Sequence, residues 1–339
     1  MAEILNLSIA TVSKALRDSY DISKATKEKV ISLANQLNYE PNPHASFLRR
    51  QNSRTIAVIV PEIANNYFAL AINGIESVAQ EKGYHVIIYI THEDVDREVL
   101  FTRHLHCGRA DGVLISVSGT TTDYKHLQLL QDKGLPIVFF DRVCDHFKTV
   151  KVTTDDFDSG YRATQHLIDQ GCRRIAHLGI SPSLSIGSKR ASGYFQALQD
   201  NQLPIDESLH IECANNKQQD ASLIRNLLLN RQPDGIFAAV EQFAIVCYEQ
   251  CEMLNIKIPQ QVKVISFSNM QTAALLNPSL STITQPAFAI GREAAATLLK
   301  ALEKKSYQLK DERIVLQSAL IERASTRKTS IPVRVARSL

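Results

Sequence analysis

The chain has 339 residues, of which 44% are hydrophobic and 22% are charged, and its formal net charge is +3. This composition is typical of a globular protein with a sizeable core and room for about two to three domains. No stretch approaches the roughly 18 apolar residues of a membrane span, and no secretory signal pattern opens the chain. The composition therefore argues against membrane insertion and secretion and predicts a cytoplasmic protein.

The basic excess lies at one end of the chain. Residues 1–54 carry a net charge of +3, whereas the remaining residues sum to zero. Such a segment suits a polyanionic partner, although an excess of this size is also common on solvated faces. The six cysteines are scattered along the chain and form no C-x-x-C pair. We therefore expect reduced thiols, no metal site and no cofactor.

The first forty residues contain only helical patterns. In LSIATVSKALRDS, residues 7–19, Ser8 can cap a helix that carries Val12 and Leu16 four residues apart. After a turn, Ser23 can cap a second helix whose apolar residues recur at i, i+3, i+4 and i+7. A module of this size needs a third helix to brace it, and only MAEILNL is present for that role.

From residue 55 the pattern changes to strand–helix alternation. EPNPHASFLRRQNSRT, residues 40–55, is typical of a linker with one or two helical turns. Continuous apolar runs follow, first TIAVIV, HVIIYI, DGVLIS and PIVFF, and then RRIAHLGI, DGIFAAV and VKVISFS. Apolar strands joined by helices indicate parallel sheets covered on both faces. The sequence therefore predicts two doubly wound halves with a ligand cleft at the carboxyl ends of their strands.

Motifs of the common enzyme classes are missing. No G-x-G-x-x-G follows the first strand, and GISPSLSIGSK, residues 179–189, lacks the spacing of a phosphate loop. No G-x-S-x-G nucleophile elbow is present. His85 and His177 lie inside apolar strands, where a structural role in the core is the commoner explanation. We therefore expect no catalytic residues and no enzyme activity.

Residues 8–16 have the side-chain distribution of a recognition helix. The second helix of a helix-turn-helix lies in the major groove, with its first side chains near base edges and hydroxyl groups on phosphates. In SIATVSKAL, the residues Val12, Ala15 and Leu16 would face the core. A helix whose hydroxyl groups merely face water explains this segment equally well.

The order of the motifs resembles the LacI/GalR family of bacterial transcription regulators. The resemblance rests on S-x-A-T-V-S-K-A-L, LNYEPN, A-S-F-L-R-R and TIAVIVPEIANNYFA, and continues through LPIVFFDR, SKRASGYFQAL and NPSLSTITQPAFAIGREAA to residue 325. It implies an N-terminal all-α helix-turn-helix headpiece and an α/β periplasmic-binding-protein-like core of two doubly wound parallel-sheet subdomains. It also implies a homodimer, with a tetramer left open, that binds near-palindromic operator DNA and a small-molecule effector.

The resemblance also implies domain boundaries. The headpiece would span residues 1–41, the hinge helix and linker 42–54, the core 55–325 and a basic, disordered tail 326–339. Within the core, the N-subdomain would comprise residues 55–153 and 284–312, and the C-subdomain residues 154–283 and 313–325.

Three groups of functional positions follow from the family's pattern. The positions that read bases are Ile9, Ala10, Lys14 and Leu48, of which Leu48 would wedge into the minor groove. The positions that contact the DNA backbone are Ser8, Thr11, Ser13, Ser23, Tyr39 and Asn42. The positions that line the effector cleft are Asn65, Phe68, Ser116, Asp141, Arg190, Glu241, Ser268 and Gln285.

Two cleft positions depart from the family's pattern. Glu241 follows the strand where members often carry Asn-Asp, and Ser268 occupies the place of the first Asp in a common GFDD motif. A pocket without that carboxylate is not expected to read sugar hydroxyls in the common way. For Asp141 and Arg142, a surface turn after a strand is the alternative to a role in the pocket.

Two hypotheses of function remain. The first is a DNA-binding regulator, with a repressor as the main hypothesis. Its effector, such as a sugar or sugar derivative, would change the closure of the subdomains. The second is a small-molecule sensor with a truncated, non-productive headpiece, because the family has several residues before the segment present here as MAEILNL. Upstream in-frame codons would distinguish the two.

Overall fold

The computed structural model describes residues 1–37, 39, 53–214, 216–304 and 306–327. It divides into two units, Met1–Ser53 and Arg54–Leu339. This boundary lies inside the segment that the sequence predicts as a linker. Most of the predicted hinge and nearly all of the basic tail, including Asn42 and Leu48, lie outside the described residues. No helix in the described part of the chain is long and apolar enough to cross a bilayer.

The first unit contains two capped helices. Helix α1 spans Ile9–Ala15 and helix α2 spans Lys24–Gln36. Each begins after a serine whose hydroxyl oxygen accepts a backbone N–H three residues later, at 3.0 Å for Ser8 and 3.3 Å for Ser23. These contacts satisfy N–H groups that the helix itself leaves without partners, so both predicted helix starts are confirmed.

A small apolar core joins the two helices. Val12 and Ala15 of α1 are buried with Val30 of α2, and Leu5 packs against them from the preceding segment. The expected third helix is wrong, because residues 2–6 form turns in which the Leu5 N–H donates to the Met1 carbonyl at 3.1 Å.

Six strands form the first sheet of the second unit, in the order β11-β5-β4-β3-β1-β2 and all parallel. The strands are β1 Thr55–Val60, β2 His85–Ile90, β3 Gly112–Ile115, β4 Ile137–Phe140, β5 Val150–Thr154 and β11 Glu312–Leu316. The accompanying helices are α3 Asn66–Glu81, α4 Val95–His104, α5 Lys125–Asp132 and α10 Ala287–Glu303.

Six further strands form the second sheet, in the order β12-β10-β9-β8-β6-β7, in which only β12 is antiparallel to its neighbour. The strands are β6 Ile175–Gly179, β7 His210–Glu212, β8 Gly235–Ala238, β9 Lys263–Phe267, β10 Ser281–Thr284 and β12 Ala319–Ile321. The accompanying helices are α6 Asp156–Asp169, α7 Ser185–Asp200, α8 Lys217–Asn226 and α9 Glu241–Met253. The prediction of two doubly wound sheets is confirmed.

Strand β2 is not covered as the sequence predicts. It lies at the edge of the first sheet, where Ile87 is 39% and Ile88 is 42% exposed. His85 is exposed for the same reason, so its expected place in the core is wrong, whereas His177 in β6 is fully buried. An apolar run alone does not distinguish an edge strand from a central one.

The chain crosses between the two sheets three times, after β5, β10 and β11. The sequence places the last crossing at residues 312–313, whereas residues 313–316 pair with β5 in the first sheet. The crossing therefore lies between Leu316 and Ala319. Hydrogen bonds join the crossings: Gln285 Nε2 donates to Thr154 Oγ1 at 3.2 Å, and the Ser318 N–H donates to Asp155 Oδ1 at 2.8 Å.

Candidate functional site

Helix α1 presents one face to its core and the other to solvent. Ile9, Ala10, Ser13 and Lys14 lie within an arc of about 140° on the helix, opposite the buried side, and Arg17 follows the end of the helix. Ile9 is 81% exposed on this face.

Three cations of the headpiece, Lys14, Lys27 and Arg17, make contacts within it. The Lys14 ammonium pairs with the Asp21 carboxylate, which holds the pKa of Asp21 below its usual value. Lys27 Nζ lies 2.7 Å from Asp18 Oδ1. Arg17 folds back along its own helix, donating from Nε to the Ser13 carbonyl at 2.8 Å.

The predicted backbone-contacting residues have local roles in the headpiece. The Ser8 and Thr11 hydroxyl oxygens are 2.8 Å apart at the start of α1, and Ser23 caps α2. Ser13 accepts a hydrogen bond from Arg17 Nη2 at 3.1 Å. Tyr39 is 47% exposed.

A cleft in the second unit lies at the carboxyl ends of the strands of both sheets, with about 380 Å³ free of protein atoms, including its open mouth. Seven of the eight predicted effector positions line it: Asn65, Phe68, Asp141, Arg190, Glu241, Ser268 and Gln285. The further lining residues are Tyr67, Arg142, Ile186, Val240, Phe267 and Asn269.

Ser116 does not line the cleft. It follows β3 and is fully buried, and its hydroxyl oxygen accepts the Arg142 N–H at 3.4 Å. It therefore supports the backbone at Arg142 from behind the cleft wall, which the family's pattern alone does not reveal.

Arg190 is fixed on three sides at the base of the cleft. Its Nε donates to Asp156 Oδ1 at 2.8 Å, and its Nη1 donates to the Ala239 carbonyl at 2.7 Å. The guanidinium carbon lies 3.8 Å from the centre of the Phe267 ring. Arg190 and Asp156 are each 2% exposed, so this is a buried, hydrogen-bonded ion pair with a cation–π contact.

Asp141 and Arg142 form a buried part of the cleft wall and not a surface turn. They are 5% and 8% exposed, respectively. Asp141 has a left-handed backbone with φ of 60°, which an Asp tolerates better than most residues. Burial raises the pKa of Asp141 to about 6, although Arg142 and Arg190 oppose this shift.

Arg142 is held by Glu93. Its Nη1 donates to both oxygens of the Glu93 carboxylate, at 2.7 and 2.8 Å. The guanidinium lies 5.9 Å from the centre of the Phe68 ring. The Gly119 N–H also donates to Glu93 Oε2 at 2.6 Å. The position of Arg142 in the cleft therefore depends on a carboxylate that follows β2.

Glu241 places a carboxylate beside Ser268, the position at which the common family motif has an Asp. Its Oε2 accepts the Ser268 hydroxyl at 2.8 Å and the Asn269 N–H at 3.2 Å. Its Oε1 accepts from Asn66 Nδ2, across the cleft, at 3.0 Å. Ser268 carries no carboxylate, but helix α9 begins beside the end of β9 and brings the carboxylate of Glu241 to Ser268.

Two buried polar atoms of the cleft residues, Arg142 Nε and Asn269 Oδ1, have no hydrogen-bond partner among the described residues. A third buried polar atom, Tyr67 Oη, faces the Asp141 carboxylate. Burial raises the pKa of the Tyr67 hydroxyl well above its usual value, and the nearby Asp141 carboxylate adds to this shift. Buried polar groups without partners are costly, and bound water or a polar ligand would satisfy them.

Sequence reasoning missed several cleft residues that lie next to predicted ones. Tyr67 directly precedes Phe68, and Asn269 directly follows Ser268. A loop at the end of a strand commonly offers two successive side chains to a ligand, and this rule would have found Asn269. The buried partner Asp156 carries no such signal, because its role depends on the position of Arg190 in another helix.

Comparisons with known proteins place both units in one group. Residues 53–338 match the family model described as periplasmic binding proteins and sugar binding domain of LacI family. Residues 2–42 match the model described as bacterial regulatory proteins, lacI family. These two matches cover nearly all of the chain.

Two curated relatives extend over nearly the full length. The HTH-type transcriptional regulator RegA of Clostridium saccharobutylicum is 29% identical over 328 residues, covering 96% of this chain and 98% of the relative. The ribose operon repressor of Halalkalibacterium halodurans is 28% identical over 333 residues, covering 96% of each chain.

Solved structures agree with the fold. A complex of the transcriptional regulator CelR with cellobiose is 25% identical, with a TM-score of 0.74, and the match covers 96% of this chain and 98% of that one. A lac repressor dimer bound to operator and the anti-inducer ONPF is 21% identical, with a TM-score of 0.84 over 96% of this chain and 97% of that one. The latter likeness concerns the fold alone.

Proposed function

We propose that this chain, which belongs to the LacI family of bacterial regulatory proteins and is a DNA-binding transcriptional regulator, is a repressor. It leaves or binds its operator in response to an uncharged, hydroxyl-rich effector. Relatives named as repressors support the direction of control. The match of the helix-turn-helix model favours this function over a sensor without DNA binding. A regulator of this kind acts on DNA in the cytoplasm and requires no catalytic residue.

The outward face of α1 is the proposed DNA-reading surface. Ile9, Ala10 and Lys14 are exposed there and are free of contacts with the apolar core. The capped starts of α1 and α2 at Ser8 and Ser23 bring backbone N–H groups and hydroxyl groups to positions suited to phosphates. Thr11, Ser13 and Tyr39 are the remaining proposed backbone contacts among the described residues.

The observation that carries the effector proposal is the pair of buried, unpartnered polar atoms of Arg142 and Asn269 in the cleft. Arg142 Nε–H needs an acceptor, and Asn269 Oδ1 needs a donor. Hydroxyl groups supply both roles at once. The rings of Phe68 and Phe267 offer apolar walls for the carbon skeleton of the ligand.

The balance of charge in the cleft favours an uncharged ligand. Arg142 is paired with Glu93 and Arg190 with Asp156, which neutralises both cations. The carboxyl groups of Asp141 and Glu241 have no ion-pair partner of their own among the described residues. A phosphate or carboxylate ligand would therefore be repelled, whereas hydroxyl groups can donate to these oxygens.

A homodimer is the proposed assembly, with strand β2 at its interface. Ile87 and Ile88 leave an apolar sheet edge exposed in the single chain. Exposed apolar edges pair with other chains unless they are protected. Two copies of the headpiece would then address two half-sites of near-palindromic operator DNA.

Two measurements on the full chain test the proposal. Fluorescence anisotropy against genomic fragments is expected to show sequence-dependent binding that weakens steeply with salt, as release of counterions from DNA requires. A thermal-shift screen is then expected to find stabilisation by neutral sugars or related polyols, and none by their phosphates. Binding that ignores sequence contradicts the DNA function, and stabilisation by anionic ligands alone contradicts the effector class.

A further inference from the structure

The turn after the recognition helix places an acidic group beside a base-reading cation. The Asp21 carboxylate pairs with the Lys14 ammonium seven residues earlier. We infer that Asp21 is a specificity-determining residue, and that Lys14 and Asp21 together read a guanine and a cytosine in the same or adjacent base pairs. This inference rests on the proposed DNA-binding role of α1.

The fold fixes Asp21 at this place. The Ser19 N–H donates to the Lys14 carbonyl at 3.1 Å, which turns the chain back at the end of α1. The Ile22 N–H donates to the Ser19 carbonyl at 3.3 Å, and the Ile22 side chain packs against the small core of the headpiece. The residue between these two anchors is therefore held near the exposed face of α1.

The ion pair is open to exchange for DNA contacts. The side chain of Lys14 is 49% exposed and that of Asp21 is 36% exposed. Exposed ion pairs of this kind contribute little to stability, because water and salt compete for both charges. DNA can therefore replace the contact at little cost, provided that both charged groups find partners.

The chemistry of the two groups selects the DNA groups that satisfy them. A carboxylate is repelled by phosphates and accepts hydrogen bonds only, and in the major groove Glu and Asp accept from the cytosine N4 amino group. A lysine ammonium donates to O6 and N7 of guanine. Asp21 thereby makes a phosphate contact by Lys14 less favourable and a base contact at a G·C pair more favourable.

The same turn contains a matched acidic residue with a different partner. Asp18 accepts from Lys27 of α2 at 2.7 Å, and its own side chain is 91% exposed. Lys27 is 18% exposed, so this pair ties the turn to the side of α2. Removing Asp18 changes the net charge as much as removing Asp21 does, but leaves the Lys14 pair in place.

The test is a binding-site selection from randomised duplex DNA with the full chain, followed by anisotropy on single-base variants of the selected site. The variants are D21A, D18A, K14A and K14A/D21A. For the wild type we expect one G·C position, or two adjacent ones, per half-site, with about 10- to 100-fold discrimination against other pairs. D21A is expected to lose at least tenfold of this discrimination, and K14A/D21A to lose no more than K14A alone.

D18A separates a specific contact from a general effect of charge. Both D18A and D21A are expected to bind random DNA more tightly, because each removes one negative charge. Only D21A is expected to lose the G·C preference. Retained preference in D21A, or an equal loss in D18A, overturns the inference while the wild type still selects a site. A wild type that selects no sequence overturns the proposed function itself.

Discussion

The Ser268 hydroxyl donates to Oε2 of Glu241 at 2.8 Å, so the two cleft positions that depart from the family's pattern contact each other. Strands β8 and β9 are neighbours in the second sheet, and the residues that follow them therefore meet at the same edge. The carboxyl group comes from the start of α9 instead of the end of β9. The effect of a substitution at either position is then expected to depend on the residue at the other.

Replacing Glu241 by Gln is expected to lower the free energy of unfolding by about 1–3 kcal/mol. The carboxylate accepts hydrogen bonds from Ser268, Asn269 and Asn66, and a glutamine has only one oxygen to offer these donors. Urea unfolding followed by circular dichroism measures the change. Glu252→Gln, an exposed position on the same helix, is the control and is expected to have no effect.

The double variant Glu241→Gln/Ser268→Asp tests whether the carboxyl group can be moved back to the strand. It is expected to recover part of the stability lost in Glu241→Gln, and to recover the thermal shift caused by the best ligand of the screen. A double variant that is less stable than both single variants would show that the two positions do not compensate each other.

Replacing Arg190 by Met is expected to destabilise the core by about 3–5 kcal/mol, because it leaves the buried Asp156 carboxylate without its ion-pair partner. Adding Asp156→Asn removes that charge and is expected to restore at least half of the loss. Urea unfolding of the single and the double variant measures the two free energies of unfolding. Equal stability of the single and double variants would mean that the Asp156 charge is not the source of the cost.

The raised pKa of Asp141 predicts a pH dependence of stability. Its folded pKa of about 6 lies above the unfolded value of roughly 3.9, so the folded state holds the proton more tightly. The free energy of unfolding therefore falls as pH rises through this window, and the full cost at pH 7.5 is about 3 kcal/mol.

Asp141→Asn removes this cost and keeps a residue that accepts the left-handed backbone. It is expected to be more stable than the wild type at pH 7.5, by up to about 3 kcal/mol, and equally stable near pH 4. Thermal unfolding across this range, with the exposed Glu76→Gln as control, measures the difference. A difference that does not change with pH would argue against Asp141 as the titrating group.

Replacing Ile88 by Lys is expected to weaken the proposed dimer by at least tenfold, because a charge at the sheet edge must lose water to become buried. Sedimentation velocity over a range of concentrations measures the dissociation constant. Leu129→Lys on α5, where the leucine is 54% exposed, provides a substitution of the same kind away from β2. Similar dissociation constants for both variants would place the interface elsewhere.

The sequence predicts the strands that are long and apolar and misses those that are short or polar. Seven predicted strands are present. Strands β5 with VKVTT and β10 with STIT carry too few apolar residues to be recognised, and β12 with ALI is too short. These strands are stabilised by their neighbours in the sheets, which is information that a local pattern does not contain. The sequence also places the third crossing wrongly, because β11 is recognisable only by its pairing with β5.

Cleft residues at the ends of strands could be predicted, whereas their partners could not. Asp141 and Ser268 follow recognisable strands, and the resemblance to a family assigned them to the cleft. Glu93 and Asp156, which hold Arg142 and Arg190, come from distant parts of the chain. The contact between Glu241 and Ser268 likewise requires the register of two strands, and a sequence gives only the separation along the chain.

The hydrogen bonds between the chain crossings determine how the two subdomains can move. The first crossing is hydrogen-bonded to the second and to the third, and a hinge motion of the subdomains is expected to rotate about an axis through these crossings. Gln285 lines the cleft and also donates to Thr154 at this axis. A ligand that contacts Gln285 therefore acts where the two subdomains are joined, and a small local displacement there becomes a larger one at the residues farthest from the axis.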